Sequence, residues 1–449
     1  MTGFPITDAT PVTHAAALPS QADVVVIGGG VIGVCTALFL ARAGQRVALV
    51  EKGRIAGEQS SRNWGWIRQQ GRDPDELPIM IEANRLWREL APQTGIDIGL
   101  KQVGITYLAR TEKELDGYAA WMAAVSGHGL DTRLLRGAEM AREFPDFTRK
   151  GYAGVLTTPS DLKAEPWLAV PALAALAARE GVAIAENCAA RALYIAAGRI
   201  AGVITERGRI AAPTVVLVGG AWSSLMLRRH GVPLPQLSVR ASVAATAPVS
   251  LPHTGAAADS DIAFRPRADG GLSIAAGSSH ELFVGPDAFR ALPAFARQLL
   301  AHPFATRLYP AAPRGYPDAW TTPRRWSEDA PSPFEACRIL NPKPNVAKLR
   351  QVAQQIARIF PDAGPVTLRT AWAGMIDTLP DVVPVVDNIA AIPGLIVGTG
   401  MSGHGFGIGP GMGRVLAALA LEQPPGHDLT RFRHARFRDG SPMRLGPAL

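Results

Sequence analysis

Three glycines near the start of the chain have the spacing of a phosphate-binding turn. Gly28, Gly30 and Gly33 form a G-x-G-x-x-G pattern, and Glu51 follows the last of them by 18 positions. Glycines at this spacing let the backbone turn tightly and approach a pyrophosphate, and the acid can accept hydrogen bonds from the ribose of an adenine nucleotide. The first hypothesis is therefore chemistry that uses a bound dinucleotide.

The elements that would hold this turn are also predicted. Residues 23–27 are apolar after the first position, as in a buried parallel strand, and the alanine-rich run 31–43 predicts a helix that ends at Gly44. A second strand, 46–50, leads to the acid. A glycine-rich turn in an ordinary strand–helix–strand unit remains the alternative. The predicted contacts to the dinucleotide in this block are Gly28, Gly30, Val31, Ile32, Gly33, Glu51 and Lys52.

Length and composition indicate a globular chain of two domains. Its 47% hydrophobic and 19% charged residues are typical of a globular protein. Its length of 449 residues exceeds what one hydrophobic core usually supports. The formal net charge is +8, but the basic residues are spread along the chain, so we expect affinity for small anions and no nucleic-acid binding.

The cysteines and the hydropathy pattern indicate in which cellular compartment the protein is expected and whether it contacts a membrane. Cys35, Cys188 and Cys337 are odd in number and lack metal-binding spacing, which favours a reduced, cytoplasmic protein without a metal site. No apolar run is long enough to span a bilayer, so we expect membrane contact to be peripheral at most.

Two later strands also end in glycine turns. The buried strand 213–218 leads to Gly219, Gly220 and Trp222, and the strand 395–400 leads to a run containing Gly403, His404, Gly405 and Phe406. A helix follows this second turn and reaches Leu421. Its positive N-terminal end would stabilise negative charge.

A polar segment at 57–68 follows the first nucleotide-binding block. It is too rich in glycine and polar residues for a predicted helix, and its hydroxyl and amide side chains suit phosphate contacts; a surface loop is the alternative. The predicted contacts here are Ser60, Ser61, Asn63 and Trp64. The amphipathic run 77–90 then begins a region without the strand–helix rhythm, which predicts a second domain from about residue 77.

Together, these motifs resemble the D-amino-acid oxidase family of FAD-dependent oxidoreductases, which includes glycine, sarcosine and D-amino-acid oxidases and dehydrogenases. The resemblance covers nearly all of the chain after residue 20, with the motifs in the expected order. It rests on the first block, the polar loop, the segment 215–224, the Trp372-Ala373-Gly374 stretch and the glycine-rich run 398–410.

The resemblance implies an α/β fold with a discontinuous Rossmann-type FAD-binding domain and a substrate domain with a largely antiparallel β-sheet (α+β). On this basis we assign residues 21–76, 150–235 and 363–425 to the FAD domain and residues 77–149 and 236–362 to the substrate domain. Residues 1–20 would be a flexible tail and 426–449 a C-terminal extension.

The chemistry implied by the resemblance is oxidation of an amine. A C–H next to nitrogen gives a hydride to N5 of noncovalently bound FAD, the imine hydrolyses, and oxygen, a quinone or another electron-transfer acceptor reoxidises the flavin. This chemistry depends on alignment, so we assign no catalytic side chain. Further cofactor contacts implied by the family are Ala190, through its backbone, and Gly374.

One position departs from the family pattern. Many members that bind amino acids have an arginine shortly after W-A-G, where it clamps the substrate carboxylate; here that position is Ile376. Another cation could replace it, with Arg68, Arg265 and Arg267 as candidates, or the substrate lacks an α-carboxylate. Arg68 could instead pair with the acidic run 73–76.

Two other side chains are candidates for the substrate pocket. Tyr107 could border the pocket or belong to the core, and His404 fits a hydrogen-bonding residue beside the flavin better than a base. The leading hypothesis is an FAD-dependent oxidoreductase for an amino acid or N-substituted amino acid. The alternatives are an amine without an α-carboxylate, a 2-hydroxy acid, or a flavin subunit of a multi-subunit dehydrogenase.

Overall fold

The computed structural model of the chain describes residues 4–278, 280–301 and 306–446. In these ranges the helices are α1 (Val31–Arg42), α2 (Gln59–Arg62), α3 (Leu77–Leu90), α4 (Glu112–Ala124), α5 (Gly137–Glu143), α6 (Pro145–Arg149), α7 (Pro166–Arg179), α8 (Ser223–Arg229), α9 (Pro286–Ala301), α10 (Pro333–Ala336), α11 (Val346–Ile359) and α12 (Gly405–Ala420).

The strands occur both between these helices and in consecutive runs. They are β1 (Val24–Ile27), β2 (Val47–Val50), β3 (Trp66–Ile67), β4 (Lys101–Gln102), β5 (Ile105–Ala109), β6 (Arg133–Arg136), β7 (Gly154–Thr158), β8 (Leu162–Lys163), β9 (Ala183–Ala185), β10 (Ala190–Ala196), β11 (Arg199–Thr205), β12 (Gly208–Ala211), β13 (Thr214–Leu217), β14 (Leu237–Thr246), β15 (Ala256–Ala258), β16 (Ala263–Pro266), β17 (Leu272–Ala275), β18 (His280–Phe283), β19 (Thr306–Tyr309), β20 (Leu368–Thr378), β21 (Val385–Asn388) and β22 (Leu395–Thr399).

A six-stranded sheet contains the strands that precede the predicted glycine turns. Its order is β21-β22-β13-β1-β2-β9, and every pair is parallel except β21–β22. β1 lies at the centre between β2 and β13, and all four of its residues are buried. A strand buried on both faces needs a continuous apolar run, which is why the sequence pattern was readable here.

Helices α1 and α12 cover one face of this sheet. Both are apolar around most of their circumference, so both are buried. They approach closely because Gly413 has no side chain: a Cβ there would lie 2.5 Å from Cys35 Cβ. Helix α3 packs on α12, and its Trp87 Nε1 donates to the Gly407 carbonyl at 2.9 Å. The apolar face of α3 joins the core of the six-stranded sheet, although the sequence assigned residues 77–149 to the substrate domain.

A ten-stranded sheet forms the second layer. Its main path is β19-β18-β14-β17-β16-β15-β5-β7-β6, and β20 pairs with β14 along almost its whole length. The pairs β5–β15 and β18–β19 are parallel and the others antiparallel. The predicted class, an α/β unit with a largely antiparallel second sheet, is confirmed. β20 lies in the second sheet although the sequence assigned residues 363–425 to the first unit.

Both ends of the described chain pack on the body. Ile6 is buried, the Thr13 backbone N–H donates to Glu186 at 2.6 Å, and residue 15 forms a β-bridge with residue 185. Residues 13 and 15, which the sequence assigned to a flexible tail, thus form backbone hydrogen bonds to the first unit. At the other end, Phe432 is fully buried. None of the helices in the described ranges has both the length and the apolarity to cross a membrane.

Candidate active site

The glycine turn after β1 lets α1 start directly against the sheet. Gly28 has φ +118°, and a Cβ there would lie 2.5 Å from the Val218 carbonyl oxygen. A Cβ on Gly33 would lie 2.0 Å from the Gly28 carbonyl oxygen. Gly33 therefore serves the contact between turn and helix. At the start of α1, the Val31 N–H donates to Ser60 Oγ at 2.9 Å.

Glu51 lies at the end of β2, beside this turn. Its two carboxylate oxygens accept hydrogen bonds from the N–H groups of Gly29 and Gly53, both at 2.7 Å. Burial raises the pKa of the Glu51 carboxyl, and the charge of Lys52 and these hydrogen bonds oppose that shift. The Lys52 ammonium donates to Glu58 at 2.6 Å, so its charge is already paired.

A cavity of about 500 Å³ starts at this turn and reaches the N-terminus of α12. Both sheets contribute to its wall. The sequence-predicted residues that line it are Gly28, Gly30, Val31, Ile32, Glu51, Lys52, Ser60, Asn63, Trp64, Arg68, Tyr107, Ala190, Gly219, Gly220, Trp222, Gly374, Ile376, Gly403, His404, Gly405 and Phe406. Four predicted residues are not part of this lining: Gly33, Ser61, Arg265 and Arg267.

The polar loop after the first block contains one helical turn, α2, where the sequence predicted none. The turn forms because the Ser61 N–H donates to the Glu58 carbonyl at 3.2 Å, which directs Ser61 inward and Ser60 toward the cavity. Ser61 has no exposed surface, so the structure does not support its predicted role as a cofactor contact. Asn63 ends the turn, and its Oδ1 accepts from the Gly65 N–H at 2.7 Å.

Arg62, which the sequence analysis missed, holds this loop in place. Its guanidinium donates to the carbonyls of Ile6, Gly57 and Ala373 at 2.9–3.0 Å and to Asn341 Oδ1 at 2.7 Å. These partners come from four separate segments, and Arg62 itself lines the cavity. Its only sequence signal was its place between the predicted Ser61 and Asn63.

Asp377, also missed, ties β20 to the turn before α12. It is almost fully buried, and its Oδ2 accepts from the Gly400 N–H at 2.7 Å and from Gln236 Nε2 at 3.1 Å. Burial raises the pKa of the Asp377 carboxyl. The hydrogen bonds fix Ile376, the neighbouring residue, in the cavity wall, where its side chain offers no charge to a ligand.

Arg68 lies where the cavity meets the second sheet. Its Nη1 donates to the Gln70 carbonyl at 2.6 Å, and its guanidinium lies 5.4 Å from the centroid of the Tyr107 ring. Among the described residues it has no carboxylate partner within 4.0 Å. The proposed alternative, an ion pair with the acidic run 73–76, is not formed: Asp73 and Asp75 pair with Arg431 at 3.2 and 2.8 Å.

Behind Arg68 lies a second arginine, Arg72, which the sequence analysis did not select. It also lines the cavity, and its Nε donates to the Arg68 carbonyl at 3.1 Å. Burial and the charge of Arg68 lower the pKa of Arg72 to about 9. Its Nη1 is buried without a hydrogen-bond partner among the described residues. Its place four residues after Arg68 was the signal available in the sequence.

Arg265 was a candidate for binding the substrate carboxylate, and the structure contradicts that role. Its side chain is fully buried on β16 and forms two hydrogen bonds to Glu165, at 2.8 and 3.0 Å. Burial raises the pKa of the Glu165 carboxyl, but the charge and hydrogen bonds of Arg265 outweigh it and lower this pKa to about 2. Arg267, the other candidate, directly follows this strand and pairs with Asp269 at 3.1 Å.

Replacement of Arg265 by methionine should destabilise the protein. The change leaves Glu165 buried with only Lys163, at 3.1 Å, as a counter-ion, so we expect a loss of about 3 kcal/mol in the free energy of unfolding. Urea unfolding measures it. The matched control is Arg133→Met, which removes a surface pair with Glu143 and should cost less than about 1 kcal/mol. Equal losses in the two variants would contradict the prediction.

A comparison with sequence models of protein families identifies the family of this chain. The sequence model of the FAD dependent oxidoreductase family (DAO) matches residues 23–419. The chain belongs to this family. Both the predicted resemblance and the predicted enzyme class are confirmed.

Individual relatives are consistent with this family. Human mitochondrial sarcosine dehydrogenase is 31% identical over 229 residues, which are 49% of this chain. The match covers 25% of that protein, so this chain spans about a quarter of the length of sarcosine dehydrogenase. Glycine oxidase of Geobacillus kaustophilus is 30% identical over 270 residues, 58% of this chain and 71% of that enzyme. Among solved structures, the L-amino acid deaminase of Proteus myxofaciens, in complex with anthranilate, has a TM-score of 0.89 at 29% identity, covering 96% of this chain and 97% of its own.

Proposed function

We propose that this family member binds FAD noncovalently along the cavity and oxidises the C–N bond of an amino acid or an N-substituted amino acid. The residues present fit the cofactor. A glycine turn that no side chain fills, the start of α1 and Glu51 lie at one end, as an adenosine diphosphate group requires. The turn before α12 lies at the other end. Cys337 does not line the cavity, which supports noncovalent binding.

The proposed substrate class rests on the burial of Arg68 and on its lack of a carboxylate partner. Arg68 lines the cavity, is half-buried and has no carboxylate partner among the described residues, while the position of the family's arginine holds Ile376. A half-buried guanidinium of this kind favours a carboxylate, which can accept two parallel hydrogen bonds from it. Arg72, directly behind it, adds a second positive charge on the same side.

These groups define what the chain contributes to the reaction. When bound, FAD would supply the hydride acceptor. Arg68 would hold the carboxylate of the substrate and so orient its α-carbon, and Tyr107 would restrict the guanidinium on its other side. Ile376 and Phe406 give the wall an apolar surface, which excludes water from the reacting C–H. The N-terminus of α12 would stabilise negative charge.

The relatives support a substrate that has both an amine and a carboxylate. Sarcosine and glycine, named in two of the relatives, are amino acids, and the Proteus deaminase structure holds anthranilate, an aromatic amine with a carboxylate. Whether the electrons pass to oxygen, a quinone or another acceptor is a separate property of the protein. A reduced, cytoplasmic location remains part of the proposal, supported by three free cysteines.

The test is anaerobic reduction of the flavin. The purified protein with FAD is mixed with D- and L-amino acids, N-alkyl amino acids, the corresponding decarboxylated amines and 2-hydroxy acids, and the absorbance of oxidised flavin is followed. We expect bleaching by one class of amino acid and not by its decarboxylated amine. Bleaching by amines regardless of carboxylate would instead favour the alternative suggested by Ile376. Bleaching by hydroxy acids alone, or failure to bind FAD, would overturn the proposal.

A further inference from the structure

A buried glutamate and histidine lie beside the two cavity arginines. Glu76 directly precedes α3, and His404 directly precedes α12 in the cavity wall; each is at most 4% exposed. His404 Nδ1 lies 3.2 Å from Glu76 Oε2. The other imidazole nitrogen, Nε2, is buried and has no hydrogen-bond partner among the described residues. His404 lines the cavity, and Nε2 is the nitrogen of this pair that is left without a hydrogen bond to the described residues.

The surroundings of Glu76 decide which partner holds the shared proton. A buried carboxylate is stable as an anion when several donors satisfy its oxygens. Here Oε2 has only the imidazole contact, and Oε1 has no partner in the described part of the chain. The charged groups that face the pair from the neighbouring elements are Arg68, Arg72 and Asp73 of the loop before α3, and Arg431 of the C-terminal segment.

The positive neighbours do not compensate for this lack of donors. None of the three arginines forms an ion pair with Glu76 within 4.0 Å among the described contacts, and Arg431 is engaged by Asp73 and Asp75. Burial raises the pKa of the Glu76 carboxyl to about 8, with the charge of Arg72 opposing it. Burial, Arg72 and Arg68 lower the pKa of His404 well below its usual value, which disfavours the charged imidazolium.

We propose that Glu76 is a positioning residue: its carboxyl group donates a hydrogen bond to His404 Nδ1 and so fixes the imidazole as the Nε2–H tautomer, whose N–H donates to an anionic group of the ligand. An ionised Glu76 would accept from Nδ1–H and leave a lone pair on Nε2, which would repel an anion. The arginines and the positive end of α12 favour the same anion. This inference rests on the proposed function, because the anion is the substrate carboxylate.

The tautomer can be measured without turnover. Long-range ¹H–¹⁵N correlation spectra of histidine-labelled protein distinguish a protonated Nδ1 from a protonated Nε2, and His404→Gln assigns the signal among the nine histidines. We expect the Nε2–H tautomer near neutral pH. A proton on Nδ1 at neutral pH would overturn the inference even if amino acids bleach the flavin, whereas an Nε2–H tautomer without bleaching would count against the proposed function alone.

Binding of benzoate, a simple carboxylate probe, gives the second readout. As the pH rises from about 6.5 to about 8.5, past the Glu76 pKa of about 8, the wild-type protein should bind benzoate at least about threefold more weakly. Glu76→Gln keeps the shape and cannot ionise, so its affinity should change less than wild type over this range. The matched control is Glu82→Gln. Glu82 lies in α3, outside the cavity lining, and pairs with His427, so this variant should keep the wild-type profile. Identical profiles for Glu76→Gln and wild type would overturn the inference.

Discussion

Replacement of Arg68 by methionine should raise the KM for the amino-acid substrate about a hundredfold or more. The change removes a guanidinium that has no other carboxylate partner in the described ranges and keeps a side chain of similar length against Tyr107. The loss of charge-assisted hydrogen bonds to a carboxylate costs about 3 kcal/mol, which corresponds to about two orders of magnitude in affinity. Steady-state kinetics and anaerobic flavin reduction measure the effect.

Two controls separate recognition of the carboxylate from a change in fold. Arg68→Lys keeps the charge without the planar fork, so it should recover part of the affinity. Arg85→Met, which removes an exposed arginine of α3 whose partners are Glu82 and Glu89, should leave the kinetics as in wild type. An unchanged KM in Arg68→Met, with FAD still bound, would show that the substrate carboxylate is held elsewhere or is not required.

Replacement of Gly33 by alanine should abolish the binding of FAD and destabilise the first unit. The new Cβ would lie 2.0 Å from the Gly28 carbonyl oxygen and 2.9 Å from a methyl group of Val218. A backbone oxygen cannot move aside as a flexible side chain can, so α1 must shift away from the glycine turn. Overpacking of this kind costs about 1–3 kcal/mol or more. Absorbance of the purified protein reports the flavin, and thermal unfolding reports stability.

The matched control for this change lies in helix α4. A Cβ on Gly117 would meet no atom within 4 Å, and its φ is not positive, so Gly117→Ala should stabilise that helix by up to about 1 kcal/mol. It should leave the flavin bound. If Gly33→Ala retained both FAD and the wild-type unfolding temperature, the close contact between turn and helix would not be required for the cofactor site.

The sequence pattern predicted the elements whose burial is nearly complete. β1, β13 and β22 lie side by side in parallel, and parallel strands that are covered on both faces must be apolar throughout. The glycine turn after β1 was visible for a related reason, since a Cβ on Gly28 or Gly33 would lie 2.5 or 2.0 Å from a backbone oxygen. The family motifs lie on the turns after these strands, so the class of fold and enzyme could be predicted.

The position of α3 and of the chain ends could not be predicted in the same way. An amphipathic pattern shows that a helix has an apolar face and does not show which surface covers it. Trp87 of α3 donates to the carbonyl of Gly407, 320 positions away, and Arg62 donates to the carbonyl of Ala373, 311 positions away. Contacts of such long range depend on the complete fold.

By itself, the sequence determined the dinucleotide turn, the order of the family motifs and the absence of the family's arginine at position 376. Only the tertiary structure separated the candidate arginines by the partners that surround them. Arg265 and Arg68 are the same residue type, but their partners differ. Glu165 forms an ion pair with Arg265. The acids near Arg68, Asp73 and Asp75, pair with Arg431 instead. The availability of a charge depends on the partners that folding brings within about 4 Å, and the local sequence does not contain that information.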